Sequence, residues 1–415
     1  MSYINGTKKW KLSRMTEENT DMMTMCETHL IKKSSPFYKE MDELCFRSKN
    51  LYNAALYSTR QRFFNENALQ SCNDTDKIFN SEKQVNYKAL PAKVSQQVLK
   101  QVDLGFKSFF KASKSTKMKW KTLRIPSYKD KVCGRNMVVY TKQAISKKSL
   151  KKGLLNPSKT NIFIKTKQKN IQEFRIVPHT NGYKAIVIYK FPCKSKVGSD
   201  SFAGIDLGIN NLATIGFNNF KGFRVNGRPL KSINQHYNKR VAHYKSKLKG
   251  GKRTSKRVKL ITNKRNNRVK DYLHKASKAI VNQLVSNNVS VVAIGHNKEW
   301  KQDTNIGKVN NQSFTQIPHS KLIQMVSYKA RLQGITVVEH EESYTSKCSF
   351  MDNEAIGKKD VYLGKRIKRG LFRTSNGRLI NADLNGALNI LKKVIGEFHY
   401  PIQVCSTPLD LSIKL

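Results

Sequence analysis

Apolar positions change their period along the chain, and each change predicts a different kind of element. In "LCFRSKNLYNAALYSTRQRFF", from Leu44 onward, they return every three or four residues, which predicts an amphipathic helix to about residue 65. A polar link, "SCNDTDK", leads to a second helical segment, "ALPAKVSQQVLKQVDLGFKSFFKASK", so that about 41–117 reads as a helical unit. Ahead of it, "MTMCETHLIKK" reads as a strand and "SSPFYKEMDEL" as a helix start, with Ser-Ser-Pro as the signal. Between Trp120 and Pro192 the runs "NMVVYT", "NIFIKT", "EFRIVPH" and "KAIVIYKF" are short, β-branched and separated by Lys, Asn and Gly, which predicts an antiparallel sheet or barrel. "FPCKSKVGSD" then reads as a linker.

Beyond the linker, strands are predicted at 202–208, 211–217 and 220–225, then a basic helical stretch to about 288. A strand at 289–295, a helix near 318–333, a strand at 335–341, an irregular basic segment and a helix at about 384–395 complete the order. An antiparallel meander followed by alternating helix and strand is the order of an RNase H-like α/β domain.

Charge narrows the partner. The 415 residues carry 78 Lys and Arg against 28 Asp and Glu, a formal net charge of +50. Such self-repulsion opposes compaction and calls for a polyanion. No run of about 18 apolar residues suits a membrane, and the polar start "MSYINGTKKWKLSRM" does not read as a signal peptide. An intracellular, nucleic-acid-binding protein is expected. From Lys245 to Lys270 there are twelve Lys or Arg and no acid, including Lys252, Arg253, Lys256, Arg257, Lys264, Arg265 and Arg268, a stretch suited to phosphates or to nuclear localisation. The seven cysteines (26, 45, 72, 133, 193, 348, 405) stand singly, which argues against a disulfide framework and a zinc ribbon.

Two acids are out of place. In "FAGIDLGINNLATIGF", Asp206 occupies a position where a buried strand would carry an aliphatic residue, and an unpaired buried carboxylate costs several kcal/mol. In "RLINADLNGALNILKKV", Asp383 precedes an amphipathic helix, where a cap or first-turn role is the simplest reading.

In this order "GIDLGINNLATI", "DYLHKASKAIV", "IGHNKEWKQ", "ESYTSK" and "NADLNGALNI" resemble the TnpB/OrfB family of transposon-encoded proteins and its eukaryotic and viral relatives called Fanzor. "KALPAKVSQQVLKQVDLGFKSFFK" followed by "RIPSYKDK" extends the resemblance over nearly the whole chain. The resemblance implies an RNA-guided DNA endonuclease, acting as a monomer with one guide RNA from the transposon end. Its target is double-stranded DNA beside a short motif that the protein reads. It implies a RuvC-like nuclease domain of RNase H fold (201–402), holding two Mg²⁺ or Mn²⁺ ions on three acids. It also implies a wedge-like β domain (1–40 and 118–200) into which a helical recognition unit (41–117) is inserted, and a tail at 403–415. The compartment is the nucleus for a eukaryotic or viral host and the cytoplasm or nucleoid for a bacterial one. Two metals about 4 Å apart suit phosphodiester hydrolysis, Mg²⁺ favours carboxylate oxygens, and sequence recognition by base pairing leaves the protein with backbone contacts. Asp206 and Asp383 match the family's first and third motifs.

The chain departs from the family twice. Where relatives carry a four-Cys zinc ribbon, residues 343–380 offer only Cys348, so zinc is not expected. This segment is expected to contact target DNA, with Lys365, Arg366, Lys368, Arg369 and Arg373 facing phosphates, and Lys301 is added to the nucleic-acid surface. In the second motif Gly295 stands where relatives commonly have Glu, so another acid must serve. Glu299, Asp303, Glu339, Glu341 and Glu342 are near; by analogy with relatives that carry a substitute acid before "SYTS", Glu342 is the expected catalytic and metal-binding partner of Asp206 and Asp383. Trp300 reads as core. A nuclease-dead RNA-guided binder, a guide-independent transposase and a plain RNA-binding protein remain alternatives.

Overall fold

The computed structural model describes residues 21–66, 68–114, 123–297, 307–398, 400 and 407–413. The chain divides into two compact units, one of residues 22–191 and one of residues 192–415 together with 1–21.

In the first unit, β1 (Met22–Ile31) precedes α1 (Tyr38–Glu66), α2 (Cys72–Ser81), α3 (Val85–Lys88) and α4 (Ala92–Ser113). There follow β2 (Val138–Thr141), α5 (Lys147–Lys151), β3 (Leu154–Leu155), β4 (Ile164–Lys165), β5 (Ile171–His179) and β6 (Gly182–Pro192). The strands order β1-β6-β5-β2, with β3-β4 as a separate ribbon. Leu51 and Leu56 of α1 and Val94, Val98 and Phe106 of α4 share one core with Tyr140, Phe174 and Val187 of the sheet.

Two expectations change here. The polar link after α1 is itself the start of α2: the Ser71 hydroxyl accepts from the Asp74 N–H at 3.2 Å, and the Asp74 carboxylate accepts from the Ser71 N–H at 3.3 Å. This reciprocal cap compensates for a short, polar sequence. Of "NIFIKT", only Ile164 and Lys165 enter a strand, so the β runs form a four-stranded sheet and a ribbon rather than one continuous sheet.

The second unit holds β7 (Phe202–Leu207), β8 (Asn211–Phe217), β9 (Phe223–Asn226), α6 (Arg228–Ser246), α7 (Lys256–Ser286), β10 (Val291–Gly295), α8 (Lys308–Gln316), α9 (His319–Leu332) and β11 (Thr336–His340). It continues with β12 (Lys365–Lys368), β13 (Leu371–Arg373), β14 (Leu379–Asn381), α10 (Ala382–Ile395) and β15 (Leu409–Leu411). The main sheet orders β11-β10-β7-β8-β9-β15: β7, β8 and β9 are antiparallel neighbours, and β10 runs parallel to both β7 and β11. Leu273 and Ile280 of α7 and Leu322 and Val326 of α9 share a core with Ile205, Ile215 and Val292. Alternate residues of the same strands turn to α10, where Ala293 packs with Ile390 and Leu391.

The expected basic helix to residue 288 is broken between α6 and α7, where Gly250 (φ +64°) and Gly251 (φ +66°) adopt left-handed backbone. The basic segment before α10 is not irregular throughout, since it contains the antiparallel sheet β12-β13-β14. The tail supplies β15, paired parallel with β9 and tied by the Arg224 guanidinium donating to the Asp410 carboxylate at 3.0 Å. Among the described residues no helix is long and apolar enough to cross a membrane.

Candidate active site

The site lies where β7, β10 and the start of α10 converge. Along β7, Ala203 and Ile205 belong to the core shared with α7 and α9, so by alternation Gly204 and Asp206 face α10. The helix comes so near that a Cβ on Gly204 would lie 2.1 Å from the Ala387 carbonyl oxygen. At the next turn, a Cβ on Gly386 would lie 3.0 Å from Asp206 Oδ2. The helix start therefore closes over the Asp206 carboxyl.

Asp383 occupies the first turn of α10 but does not cap it. That role belongs to Asn381, whose Oδ1 accepts from the N–H groups of Asp383 and Leu384, both at 3.1 Å. The Asp383 carboxylate is thus available to other groups: Asn211 Nδ2 donates to Oδ2 at 2.7 Å, and Arg366 Nη2 stands 3.5 Å from Oδ1.

The structure gives Gly295 a spatial meaning. A Cβ there would meet Ile390 Cδ1 at 2.4 Å and Glu342 Oε2 at 3.0 Å. The Glu342 carboxylate, arriving from the segment after β11, fills the space that a side chain at position 295 would use. Its Oε2 is buried and has no hydrogen-bond partner. Asn297 Nδ2 donates to Glu342 Oε1 at 3.4 Å, and the Glu342 N–H donates to Asn297 Oδ1 at 3.1 Å. Lys393 of α10 holds the flanking backbone, donating to the carbonyls of Glu341 at 3.1 Å and Ser343 at 2.8 Å. Glu339 and Glu341 are exposed. Glu299, Trp300, Lys301 and Asp303 lie outside the described residues.

Asp206 keeps some solvent contact, yet its carboxyl is enclosed densely enough that desolvation pushes its pKa well up. Asp383 and then Glu342 push it further in the same direction, and only Arg366 and the Leu207 N–H oppose them. Burial likewise raises Glu342, with Lys393 opposing. Asp383 and Glu342 therefore both act on Asp206 through space, although among the described residues no three His, Cys, Asp or Glu close into a compact ligand cluster. Like charges acting on the enclosed Asp206 carboxyl are a cost that a cation would relieve, and hard oxygen donors fit Mg²⁺ or Mn²⁺.

The cationic residues divide into distinct environments. Lys252, Arg253, Lys256, Arg257, Lys264 and Arg268 are exposed around and along the N-terminal half of α7, and Lys365, Arg366, Lys368, Arg369 and Arg373 are exposed on or beside β12 and β13. Arg265 differs from its neighbours. Its guanidinium donates to Asn234 Oδ1 at 2.8 Å and to the Gln316 carbonyl at 3.0 Å, so it ties α7 to α6 and α8 rather than facing phosphates.

The segment in the zinc-ribbon position is organised by a carboxylate. Glu354 is buried, with Oε2 accepting from the Ser349 N–H at 2.7 Å and Oε1 accepting from the Leu363 N–H and Lys359 Nζ, both at 3.2 Å. From α10, Asn385 donates to the Cys348 carbonyl and Asn389 to the Thr345 and Cys348 carbonyls, at 2.8–2.9 Å. The buried Cys348 thiol faces the Ala355 and Gly357 carbonyls at 3.7 and 3.9 Å.

Sequence reasoning missed Asn211, Asn297 and Lys393 in this site and did not place Arg366 beside Asp383. Only Asn211 carried a local signal, following the first motif directly. The other three meet the acids through tertiary contact.

A mixed α/β sheet with an acid on its central strand, covered by an acid-bearing helix, defines a RuvC or RNase H-like domain. The family model "OrfB_IS605: Probable transposase" matches residues 186–301, and "Cas12f1-like, TNB domain" matches residues 319–390. The TnpB-like protein ORF457 of Acidianus two-tailed virus is 26% identical over 219 residues, which span 49% of this chain and 44% of that protein. A Cas12f1–sgRNA–target DNA complex solved by cryo-EM contains a chain similar in fold, with TM-score 0.54 and 16% identity, covering 85% of this chain and 82% of that one. The chain is thus similar to the TnpB (OrfB) family in two stretches, residues 186–301 and 319–390, and it spans less than half the length of the curated relative it matches.

Proposed function

We propose that the protein is a guide-RNA-dependent DNA endonuclease of a transposable element, and that Asp206, Glu342 and Asp383 hold its divalent ions. The observation that carries this reading is the buried, unpartnered Glu342 Oε2 standing 3.0 Å from the position of a Gly295 Cβ, in a site where Asp383 and Glu342 both act on Asp206. A structural carboxylate would have acquired donors; this one is held at one oxygen and left open at the other. Divalent ions bound there would lower the pKa of water and neutralise charge on the phosphoryl group and the leaving oxygen.

The chain's own residues supply the rest. Asn211 fixes one Asp383 oxygen, and Arg366, exposed beside the other, is available to a phosphate. In this reading residues 41–117 act as the recognition unit, 1–40 with 118–200 as the wedge, and 343–380 as a target-contacting segment without zinc. The exposed cations of α7 and β12 grip nucleic-acid backbone, while guide pairing selects sequence.

The test is to purify the full chain with its co-bound RNA, sequence that RNA, and offer matching and mismatched duplexes with Mg²⁺ or with EDTA. Matched, metal-dependent cleavage is expected, with binding that weakens steeply between about 50 and 200 mM salt. Binding of matched target without any cutting would replace this reading with a nuclease-dead binder. Tight selection of one DNA sequence by RNase-treated protein would replace it with a guide-independent enzyme.

A further inference from the structure

We infer that Asn297 is a positioning residue of the nuclease site, an amide clamp that holds Glu342 Oε1 so that Oε2 alone is presented to a divalent cation. The inference rests on the reading of Glu342 as a metal ligand and assigns a residue that neither motif nor charge pattern singles out.

The Asn297 amide grips one residue at two points. Its Oδ1 accepts from the Glu342 backbone N–H at 3.1 Å, and its Nδ2 donates to Glu342 Oε1 at 3.4 Å. A backbone N–H can only donate, so Oδ1 must face it, and this fixes the orientation of the amide. Nδ2 is then directed at the carboxylate, and both bonds would be lost if the amide turned over. The clamp is not needed to end the strand pairing, because the His296 N–H already donates to the His340 carbonyl at 2.9 Å.

Such a clamp is needed because of where Glu342 originates. Asp206 projects from a central strand and Asp383 from a helix, so their backbones are fixed by regular hydrogen bonding. Glu342 lies past the end of β11, in a turn segment. A carboxylate on a loop has free torsions that a metal ligand must not have. Asn297 removes that freedom from the β10 side, while the Lys393 contacts to the Glu341 and Ser343 carbonyls steady the backbone from α10. Gly295 completes the seat by having no side chain there. The relocated acid therefore depends on a small residue at 295 and an amide two positions later.

The experiment uses the full chain, and its first readout needs no cleavage: the affinity of RNA-free protein for Mn²⁺, measured from the electron paramagnetic resonance of the free ion. Asn297→Ala is expected to weaken Mn²⁺ binding about 10- to 100-fold, the usual cost of losing a residue that orients a metal ligand. Asn297→Asp should weaken it at least as much, although it is isosteric, because it replaces the donor with a charge that repels Glu342. A merely structural Asn would tolerate Asp better than Ala. In the RNA complex, both variants should need correspondingly more Mg²⁺ for half-maximal cleavage, with target binding unchanged. Wild-type metal affinity and Mg²⁺ requirement in both variants would overturn the clamp while leaving the nuclease reading intact. A Glu342→Gln control that binds Mn²⁺ and cleaves as wild type would overturn the clamp together with the assignment of Glu342 as a metal ligand.

Discussion

Two glutamates twelve residues apart illustrate opposite uses of one side chain. Glu354 has partners at both carboxylate oxygens: two backbone N–H groups and Lys359 at 2.7–3.2 Å. Glu342 has one long contact to Asn297 at Oε1 and nothing at the buried Oε2, and the Lys393 ammonium hydrogen-bonds to the neighbouring Glu341 and Ser343 carbonyls. Satisfaction of the buried charge marks Glu354 as a folding element, a polar staple for the loop ahead of β12. The missing partner at Glu342 is what the proposed ligand role would use. Glu354 is buried and Glu342 half-buried, yet what separates their uses is the inventory of donors around each oxygen.

The largest expected effect tests the open member of the pair. Glu342→Gln should lower cleavage by roughly 10³-fold or more, the scale of losing several kcal/mol of metal-mediated charge stabilisation. RNA and target binding and the melting temperature should stay close to wild type, and a protein that still cuts removes Glu342 from the site. Next comes the closed member. Glu354→Ala should cost about 3 kcal/mol in urea titrations by orphaning buried donors, while cleavage per folded molecule changes less than about tenfold. If stability were unchanged, the staple assignment would be wrong.

A smaller effect of opposite sign is expected at Asp206. Its pKa is raised in the folded protein, so the folded state holds a proton that the unfolded chain has released. In metal-free buffer, wild-type stability should therefore fall as pH rises through the raised value, with the penalty fully present above it and absent below the ordinary carboxylate range. Asp206→Asn should flatten that dependence and raise the neutral-pH stability, while abolishing cleavage. A parallel pH profile in the variant would show that Asp206 is not the strained group. The smallest effect concerns Cys348. Cys348→Ser should leave cleavage nearly intact, and elemental analysis should find no stoichiometric zinc; zinc at one per chain would restore a metal role to this segment.

The sheet that carries the site was readable because its strands are apolar, short and separated by turn residues, so that one charged residue at 206 interrupts the pattern. Asp383 was equally visible, but its two possible jobs could not be separated by sequence. Both a cap and a ligand favour the first turn, and only the position of Asn381 as the cap resolves them. For the second motif, sequence showed a missing acid at 295 and several candidates nearby. Choosing among them by physics requires knowing that α10 fills the space over Gly295 with Ile390 and that, among the described residues, Glu342 reaches the remainder. Arg366 and Asn297 were silent because their relation to the acids spans 17 and 45 residues of sequence. The inward contacts of Arg265 could not be foreseen, because a charge run carries no mark of which member turns toward its own chain. The short elements α2 and β12–β14 depend on a cap and on pairing that no periodic pattern announces.

The strand at Leu409–Leu411 lies beside β9, although almost all of the nuclease unit separates them along the chain. During synthesis β9 must therefore wait with a bare edge while α6 through α10 are made. Closing so large a loop is slow, and an unpaired edge invites pairing with another chain. Pairing of Leu409–Leu411 covers that edge, so slow docking of this strand is expected to cost soluble protein. A bulky fusion placed just before them would lower soluble yield even though it touches neither the acids nor the cationic surface.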